Sequence, residues 1–166
     1  MLARPFIRWE SERRLLGKPL MSVAFGPDPT RGETYGHASG IVAIGDIATG
    51  FLAIGTVLSF GVLSFGFISL GVLTFSAIGA CAVCFSGLAV GLIAFGGVAM
   101  GGLSLGGLAI GYVGYGGLSI GYYSVGEMAI GKYLITESFQ DPVAVAFLEE
   151  RLPWLMNSIG ATLLAP

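Results

Sequence analysis

Charge is the scarcest property of this 166-residue chain. Charged residues make up 11% of it, against about 25% in an ordinary soluble domain. A nucleic-acid-binding surface needs a basic stripe, and residues 40–135 contain a single basic side chain, Lys132. We therefore expect no nucleic-acid partner.

Residues that carry catalysis or bind metals are equally few. His37 is the only histidine, so most histidine-dependent catalysis is excluded by scarcity. Cys81 and Cys84 form a Cys-x-x-Cys pair, but a zinc site needs further ligands, and both cysteines stand where a repeat has small residues, which indicates packing. Asp46 and Glu127 are expected to lie too far apart for paired acid–base work. We predict no enzymatic activity, no metal, no cofactor and no identifiable small-molecule substrate.

The sequence has instead a five-residue repeat that runs from Gly40 to Ile135 in nineteen units. Each unit reads glycine, any residue, large aliphatic, small, large apolar. The unit Gly55–Phe60 has one extra residue, and three units begin with another small residue in place of glycine: Ser76, Cys81 and Ser86. A fixed period over this length indicates a repeat architecture.

The period of five decides between secondary structures. A helix advances about 100° per residue, so a five-residue period gives it no constant face, and each of the 23 glycines in the repeat costs a helix roughly 1 kcal/mol. A β-solenoid with four units per coil fits, because each unit supplies one side and one corner. The alternative is a bundle of three or four transmembrane helices, since the stretch is long enough to cross a bilayer several times, although no polar turn lies between Thr56 and Tyr122.

The period and the spacing of glycine and of Val, Ile or Leu two residues later resemble the pentapeptide-repeat family. That resemblance implies a right-handed quadrilateral β-solenoid of about five coils, an all-β repeat fold. The family usually carries Asp, Asn, Arg or Ser on its outward positions, where this chain is apolar. The chain is also similar to uncharacterised bacterial proteins, predicted to be membrane proteins, that have Gly-Gly-Leu-Ala-Ile-Gly runs after a segment like Pro19–Pro29. That resemblance implies no activity.

Three regions follow from composition. Residues 1–39 form a basic N-terminal segment, in which Met1–Leu20 is predicted as an amphipathic helix that lies at a membrane interface or caps the solenoid. It lacks the uninterrupted apolar core of a secretory signal peptide, and a strand is predicted over Met21–Phe25. Residues 40–135 form the solenoid. Residues 136–166 hold a capping or interfacial helix that begins at Asp141-Pro142 and is kinked at Pro153.

In a four-sided coil, the third-position residues are expected to fill the core and the second, fourth and fifth positions to point outward. Every wall would then be apolar, which is rare for a soluble monomer. Charge occurs in the repeat only near its ends, at Asp46, Glu127 and Lys132, as expected if the axis stands along a bilayer normal. The coils would rise about 23 Å, against about 30 Å for the hydrocarbon core.

This arrangement assigns roles to individual residues. Large apolar residues are expected to face lipid, aromatic and basic residues to lie at the membrane–water interface, and small residues to form a protomer interface. The lipid-facing set is Phe51, Phe65, Val72, Phe75, Phe85, Leu92 and Phe95. The interface anchors are Trp9, Tyr112, Tyr122, Lys132, Tyr133 and Trp154. The protomer interface is Thr56, Ala77, Gly87, Gly97, Gly107 and Gly117.

These expectations predict a non-enzymatic, membrane-embedded β-solenoid that forms homo-oligomers and scaffolds the lipid bilayer. One alternative is a transport or pore protein formed between protomers. Another is a soluble solenoid whose apolar walls are buried in a homo-oligomer or filament. The resemblance to bacterial proteins implies the inner (cytoplasmic) membrane, and the basic N-terminal end is expected to face the cytoplasm.

Overall fold

A computed structural model describes residues 7–15, 17–27, 34–136, 138–155 and 157 of the chain. It contains two compact units, Met1–Gly91 and Leu92–Pro166. The elements in chain order are β1 (Ile7–Glu10), β2 (Arg14–Leu15), β3 (Lys18–Pro19), β4 (Met21–Phe25), β5 (His37–Val125), β6 (Met128–Ile135) and α1 (Pro142–Arg151). The prediction of an all-β fold is therefore confirmed. The helical-bundle alternative is wrong for the described residues, because the repeat is strand throughout β5 and β6.

The repeat pairs with itself at an interval of ten residues. β5 and β6 are parallel, with Leu118 opposite Met128 and Gly121 opposite Gly131, and ring and hydroxyl contacts inside β5 recur at the same interval. A four-sided coil would require an interval of about twenty, so that prediction is wrong. The height estimated from it falls too, because ten residues already advance the ladder by one strand spacing of about 4.8 Å.

Between Ala43 and Ala109 the buried residues are all small, and none is a large aliphatic residue. Every fourth-position residue from Ala43 to Ser124 is buried, whether it is Ala, Ser, Thr, Gly or Cys. The third and fifth positions flank it and point to the other side, as residues two apart in a strand do. The expectation that the third position fills the core and the fourth points outward is therefore wrong. Each ten-residue interval contains two five-residue units, and the fourth position buried in each unit holds only small residues.

The first-position glycines are required by the close approach of successive strands. A Cβ built on Gly116 would overlap the carbonyl oxygen of Gly106, and one built on Gly71 would overlap that of Gly61. A larger residue at Gly116 or Gly71 would push the hydrogen-bonded backbone apart, although Ser76, Cys81 and Ser86 occupy the first position of three other units. The recurrence of glycine every five residues thus follows from the ladder itself.

The buried hydroxyls of the first unit are satisfied internally. Ser59 and Ser69 share a hydrogen bond with their Oγ atoms 2.7 Å apart, and Ser64 Oγ donates to the carbonyl of Leu70 at 3.2 Å. A buried polar group costs little when it is paired in this way. The polar interior of the first unit is therefore compatible with a stable core.

The N-terminal segment of the first unit is strand and turn. β1 pairs antiparallel with β4, which pairs parallel with β5 through Met21 opposite Val42, and β2 and β3 form a hairpin in which Gly17 has φ of 79°. The predicted strand Met21–Phe25 is confirmed. The predicted amphipathic helix is wrong for the described residues of Met1–Leu20, because Ile7 and Trp9 alternate with Arg8 and Glu10 at the period of a strand.

The second unit ends in helix α1, which begins where the sequence predicted. Asp141 is the N-cap, its side chain accepts a hydrogen bond from the Val143 amide at 2.9 Å, and Pro142 occupies the first turn. The helix ends at Arg151, just before Pro153, because the residue preceding a proline is disfavoured in the helical region. Leu148 and Leu155 are fully buried against outward side chains of the strands, including Tyr123, Val125 and Ile135.

Candidate functional site: exposed apolar and aromatic ladders

The first unit exposes a ladder of phenylalanines at the fifth repeat position. The rings of Phe65 and Phe75 stack with centroids 5.1 Å apart, and those of Phe75 and Phe85 stack at the same 5.1 Å. All three are exposed although they stack, with Phe75 at 39%. The ten-residue interval thus converts a sequence repeat into a continuous aromatic surface.

The second repeat position is more exposed than the fifth. Phe51 is 63% exposed in the first unit, where Val62 and Val72 are exposed too. In the second unit Leu92 is 71% exposed, whereas Phe95 is half-buried. The residues predicted to face lipid are therefore on the surface, with Phe95 only partly so.

A tyrosine–lysine corner, formed by Tyr112, Tyr122, Lys132 and Tyr133, lies in the second unit. Tyr112 and Tyr122 stack with ring centroids 5.4 Å apart. Lys132 Nζ donates to the Tyr122 hydroxyl at 3.2 Å and lies 5.2 Å from the ring centroids of both Tyr122 and Tyr133. The structure thus brings four of the six predicted interface anchors into one cluster. The other two, Trp9 and Trp154, are exposed within β1 and after α1 respectively.

Helix α1 covers the corresponding outward positions of the second unit. Val125 and Ile135, both at the fifth repeat position, are buried in a cluster with Leu148 and Leu155. Phe147 stacks on Tyr123 with ring centroids 4.1 Å apart. The sequence predicted an apolar helix face that includes Phe147, Leu148 and Leu155, but it did not identify the repeat residues that this face covers.

The predicted protomer-interface residues of the second unit, Gly97, Gly107 and Gly117, fall in one row instead of on separate faces. A Cβ built on Gly107 would meet the carbonyl oxygen of Gly97 at 3.1 Å, and one on Gly117 would meet that of Gly107 at 3.4 Å. In the first unit, a Cβ on Gly87 would meet the carbonyl of Ala77 at 3.0 Å. These four glycines are exposed, and Thr56 is drawn into the contacts of Asp46 described next.

The side chain of Asp46 links separate segments of the first unit through hydrogen bonds. Its Oδ2 accepts hydrogen bonds from the amides of Gly26 at 2.8 Å and Gly36 at 3.1 Å, and its Oδ1 accepts from the Thr56 hydroxyl at 3.1 Å. Partial burial, the largest single influence, opposes ionisation, but the three hydrogen bonds together hold the pKa of Asp46 below its ordinary value of 3.8. The carboxylate thus joins the end of β4 to the start of the repeat.

Cys81 and Cys84 are joined as a disulfide with their Cα atoms 5.7 Å apart. Cys84 is fully buried at a fourth repeat position, and the Thr74 hydroxyl lies 3.0 Å from Cys81 Sγ and 3.6 Å from Cys84 Sγ. The pair is therefore part of the interior packing of the first unit. The covalent link was not predicted.

Within the described part of the chain, no group of three or more His, Cys, Asp or Glu side chains is placed to hold a metal ion. No helix of the described residues has the length and apolar character needed to cross a membrane. No protein-family model, curated protein or solved structure matches the chain.

Proposed function

We propose that the protein is a non-enzymatic, membrane-embedded β-solenoid of ten-residue coils that self-associates and scaffolds the bilayer. The observation that supports this best is the exposure of large apolar side chains at the outward repeat positions, such as Phe51 at 63% and Leu92 at 71%. A soluble monomer rarely exposes contiguous apolar patches beyond a few hundred Å². Lipid, or another copy of the chain, is the environment that such a surface prefers.

Two further features favour lipid. No Asp, Glu, Lys, Arg or His occurs between Asp46 and Glu127, so the apolar surface is not interrupted by a group that is expensive to place in hydrocarbon. The backbone groups of a parallel ladder bond to the strands before and after them, which answers the demand for internal hydrogen bonding in a membrane. We place the charge-free residues 47–126 in the bilayer, with Asp46 and Lys132 in the aqueous or headgroup layer.

The test is membrane fractionation of the full chain followed by an alkaline wash. The proposal expects the protein to stay in the washed membrane and to give a β-type circular dichroism spectrum after extraction into detergent. Release by the wash would overturn it, because an integral apolar surface is not removed by a change of pH. In intact cells, a protease-sensitive tag ahead of Met1 should be protected on the cytoplasmic side, as the basic residues near that end predict.

A soluble homo-oligomer is the second candidate, and the exposed glycine row favours it. Gly117 has no close contact that a side chain would disturb, since its nearest neighbour would lie 3.4 Å from an added Cβ. Gly117→Leu should therefore block close approach of two copies without disturbing the ladder. A smaller assembly in light scattering, together with release by the alkaline wash, would support this candidate. An unchanged assembly would remove the row as an interface.

A pore is the remaining alternative, and it would have to form between protomers. The fourth-position side chains are fully buried in each unit, and Ala99 and Ser104, for example, have no exposed surface. The chain therefore leaves no lumen between its own strands in the described residues. Conductance in planar bilayers would support a pore, and its absence at high protein density would argue for a scaffold.

A further inference from the structure

We infer that the tyrosine–lysine corner is a binding site for the phosphate of an anionic lipid headgroup. This inference rests on the proposed membrane location and adds a ligand to it. The corner joins side chains that the sequence places ten residues apart, Tyr112, Tyr122 and Lys132, so that they stand in one row on the surface. All three are exposed.

The positive charge of Lys132 is not neutralised by any carboxylate of the described residues. The one ion pair among them joins Arg8 to Glu10 in the other unit. Lys132 and Arg151 are the only basic residues in the sequence after residue 91. A hydrogen bond to Tyr122 is the first cause that holds the pKa of Lys132 above its ordinary 10.5, so the ammonium group is charged at neutral pH. No described residue supplies it with an anionic partner.

The contacts of Lys132 orient it for an external anion. Its Nζ donates a hydrogen bond to the Tyr122 hydroxyl at 3.2 Å. Cation–π contacts with the rings of Tyr122 and Tyr133 also hold the ammonium group in place. An ammonium group has further protons to donate, and a tyrosine hydroxyl that accepts one bond keeps its own proton to donate. Lys132 and Tyr122 therefore present adjacent donors, which suits the several oxygens of a phosphate.

The position in the repeat favours a lipid over a free ion. Lys132 lies just beyond the charge-free residues 47–126, and Tyr112 and Tyr122, which stack on each other, lie near the end of that stretch. Tyrosine rings favour the boundary between headgroups and hydrocarbon, and a basic residue near an anionic membrane surface strengthens binding roughly fivefold. Phosphate oxygens would meet the donors while the acyl chains run along the apolar ladders.

The experiment uses the full chain in a non-ionic detergent and measures binding of three probes by titration calorimetry. The probes are short-chain phosphatidylglycerol, phosphatidylcholine with the same chains, and inorganic phosphate. Lys132→Gln and Tyr122→Phe test the donors, and Lys132→Arg tests rescue of the charge. Arg151→Gln is the matched control, since it removes an exposed positive charge from the same unit.

We expect phosphatidylglycerol to bind the wild type and Lys132→Arg, to bind Lys132→Gln about fivefold or more weakly, and to bind Tyr122→Phe with a smaller loss. Arg151→Gln should bind like the wild type. Equal losses in Lys132→Gln and Arg151→Gln would overturn the inference, because net charge alone would then explain binding. Binding of inorganic phosphate as tight as that of phosphatidylglycerol would overturn the lipid as ligand.

Failure of this inference is distinguishable from failure of the proposed function. If the alkaline wash leaves wild type and Lys132→Gln in the membrane and the two bind phosphatidylglycerol equally, the headgroup site is wrong and the membrane location stands. If the wash releases the wild type, the proposed function fails whatever the titration shows.

Discussion

The fifth repeat position behaves differently in the two units of the chain. In the first unit Phe65, Phe75 and Phe85 stack on the surface, with Phe75 at 39% exposure. In the second unit Val125 has no exposed surface, because it packs in a cluster with residues of α1. Where α1 packs, Val125 and Ile135 at this position are buried, whereas Met100 and Ile130, at the same position of the second unit, are exposed at 40% and 57%. An outward apolar side chain in this repeat can be buried by an apolar partner, and in the second unit α1 is that partner for Val125 and Ile135.

The two units also differ in what holds them together. The first unit relies on small buried residues, hydroxyl pairs such as Ser59–Ser69 and the fastening by Asp46. The second unit has a conventional apolar cluster of large side chains between the strands and α1. Burial of large apolar side chains contributes far more per residue than burial of alanine or serine. We therefore expect the second unit to lose most from a single core substitution.

Leu148→Ala should cause the largest loss in the free energy of unfolding. A small loss would contradict the difference drawn between the two units. Leu148 is fully buried, and truncation of such a residue costs about 4 kcal/mol. Hydrogen exchange in detergent should show faster exchange in residues 92–155 and little change in residues 34–91. Val143→Ala, in an exposed residue of the same helix, should change the free energy of unfolding by less than about 0.5 kcal/mol. Similar losses from both variants would show that α1 does not cover the wall.

Glycine substitutions test whether the same close approach of strands builds both units despite their different surfaces. Gly116→Ala places a Cβ against the carbonyl oxygen of Gly106, and Gly71→Ala does the same at Gly61, so each should lower the free energy of unfolding by about 3 kcal/mol. Gly117→Ala is the neighbouring control, because its Cβ finds ordinary contact at 3.4 Å. Denaturant unfolding followed by circular dichroism measures all three. A tolerated Gly71→Ala would mean that the first unit is not built on the same close approach.

The sequence was sufficient to predict the all-β fold, the strand Met21–Phe25 and the start of α1 at Asp141-Pro142, because period, glycine content and capping are local signals. The sequence did not decide how many five-residue units lie between paired strand positions, since a five-residue period suits two units or four. The small size of the fourth-position residues was the feature that pointed to two units. Where every position is apolar, hydrophobicity cannot separate inside from outside, and only residues such as Ala43 and Ser64 are small enough for a thin interior. Residues two apart also share a face, so the third and fifth positions had to be assigned together.

The tyrosine–lysine corner could be predicted only in part. The tyrosines near the C-terminal end of the repeat indicated an aromatic belt at a membrane interface. The contact between Lys132 and Tyr122, however, depends on the ten-residue interval. With an interval of twenty, Lys132 would stand above Tyr112, and Tyr122 would lie on another face. The covering of Tyr123 and Val125 by α1 is a tertiary contact between distant segments, and no local pattern in the sequence specifies it.

Substitution of Asp46 sharpens the comparison at the start of the first unit, where no helix covers the strands in the described residues. Asp46→Asn removes the charge that three hydrogen bonds serve and should lower the free energy of unfolding by about 2 kcal/mol at neutral pH. Because the pKa of Asp46 is lower in the folded chain, its contribution is complete above the ordinary value of 3.8 and is lost as the pH falls through the folded value.

Unfolding titrations at several pH values measure this effect as the difference between wild type and Asp46→Asn. The difference should be constant from neutral pH down to about 4 and shrink at lower pH. Glu127→Gln, an exposed acidic residue of the second unit, should change the free energy by less than about 0.5 kcal/mol. A difference that persists unchanged below pH 3 would show that the charge of Asp46 does not fasten β4 to the repeat.

The smallest expected effect comes from substituting Phe75. It distinguishes ring stacking from general apolar burial on the exposed phenylalanine ladder. Phe75 has a stacked ring on each side, so Phe75→Leu in detergent should lose about 1 kcal/mol, the value of aromatic contacts beyond their area. Phe51→Leu is the control, since it shortens a more exposed phenylalanine of the same unit and should lose less. Both variants stay apolar and should remain in washed membranes. If Phe75→Leu instead released the protein from the membrane while Phe51→Leu did not, the flat aromatic ladder would be the contact surface, and another copy of the chain would be its cover.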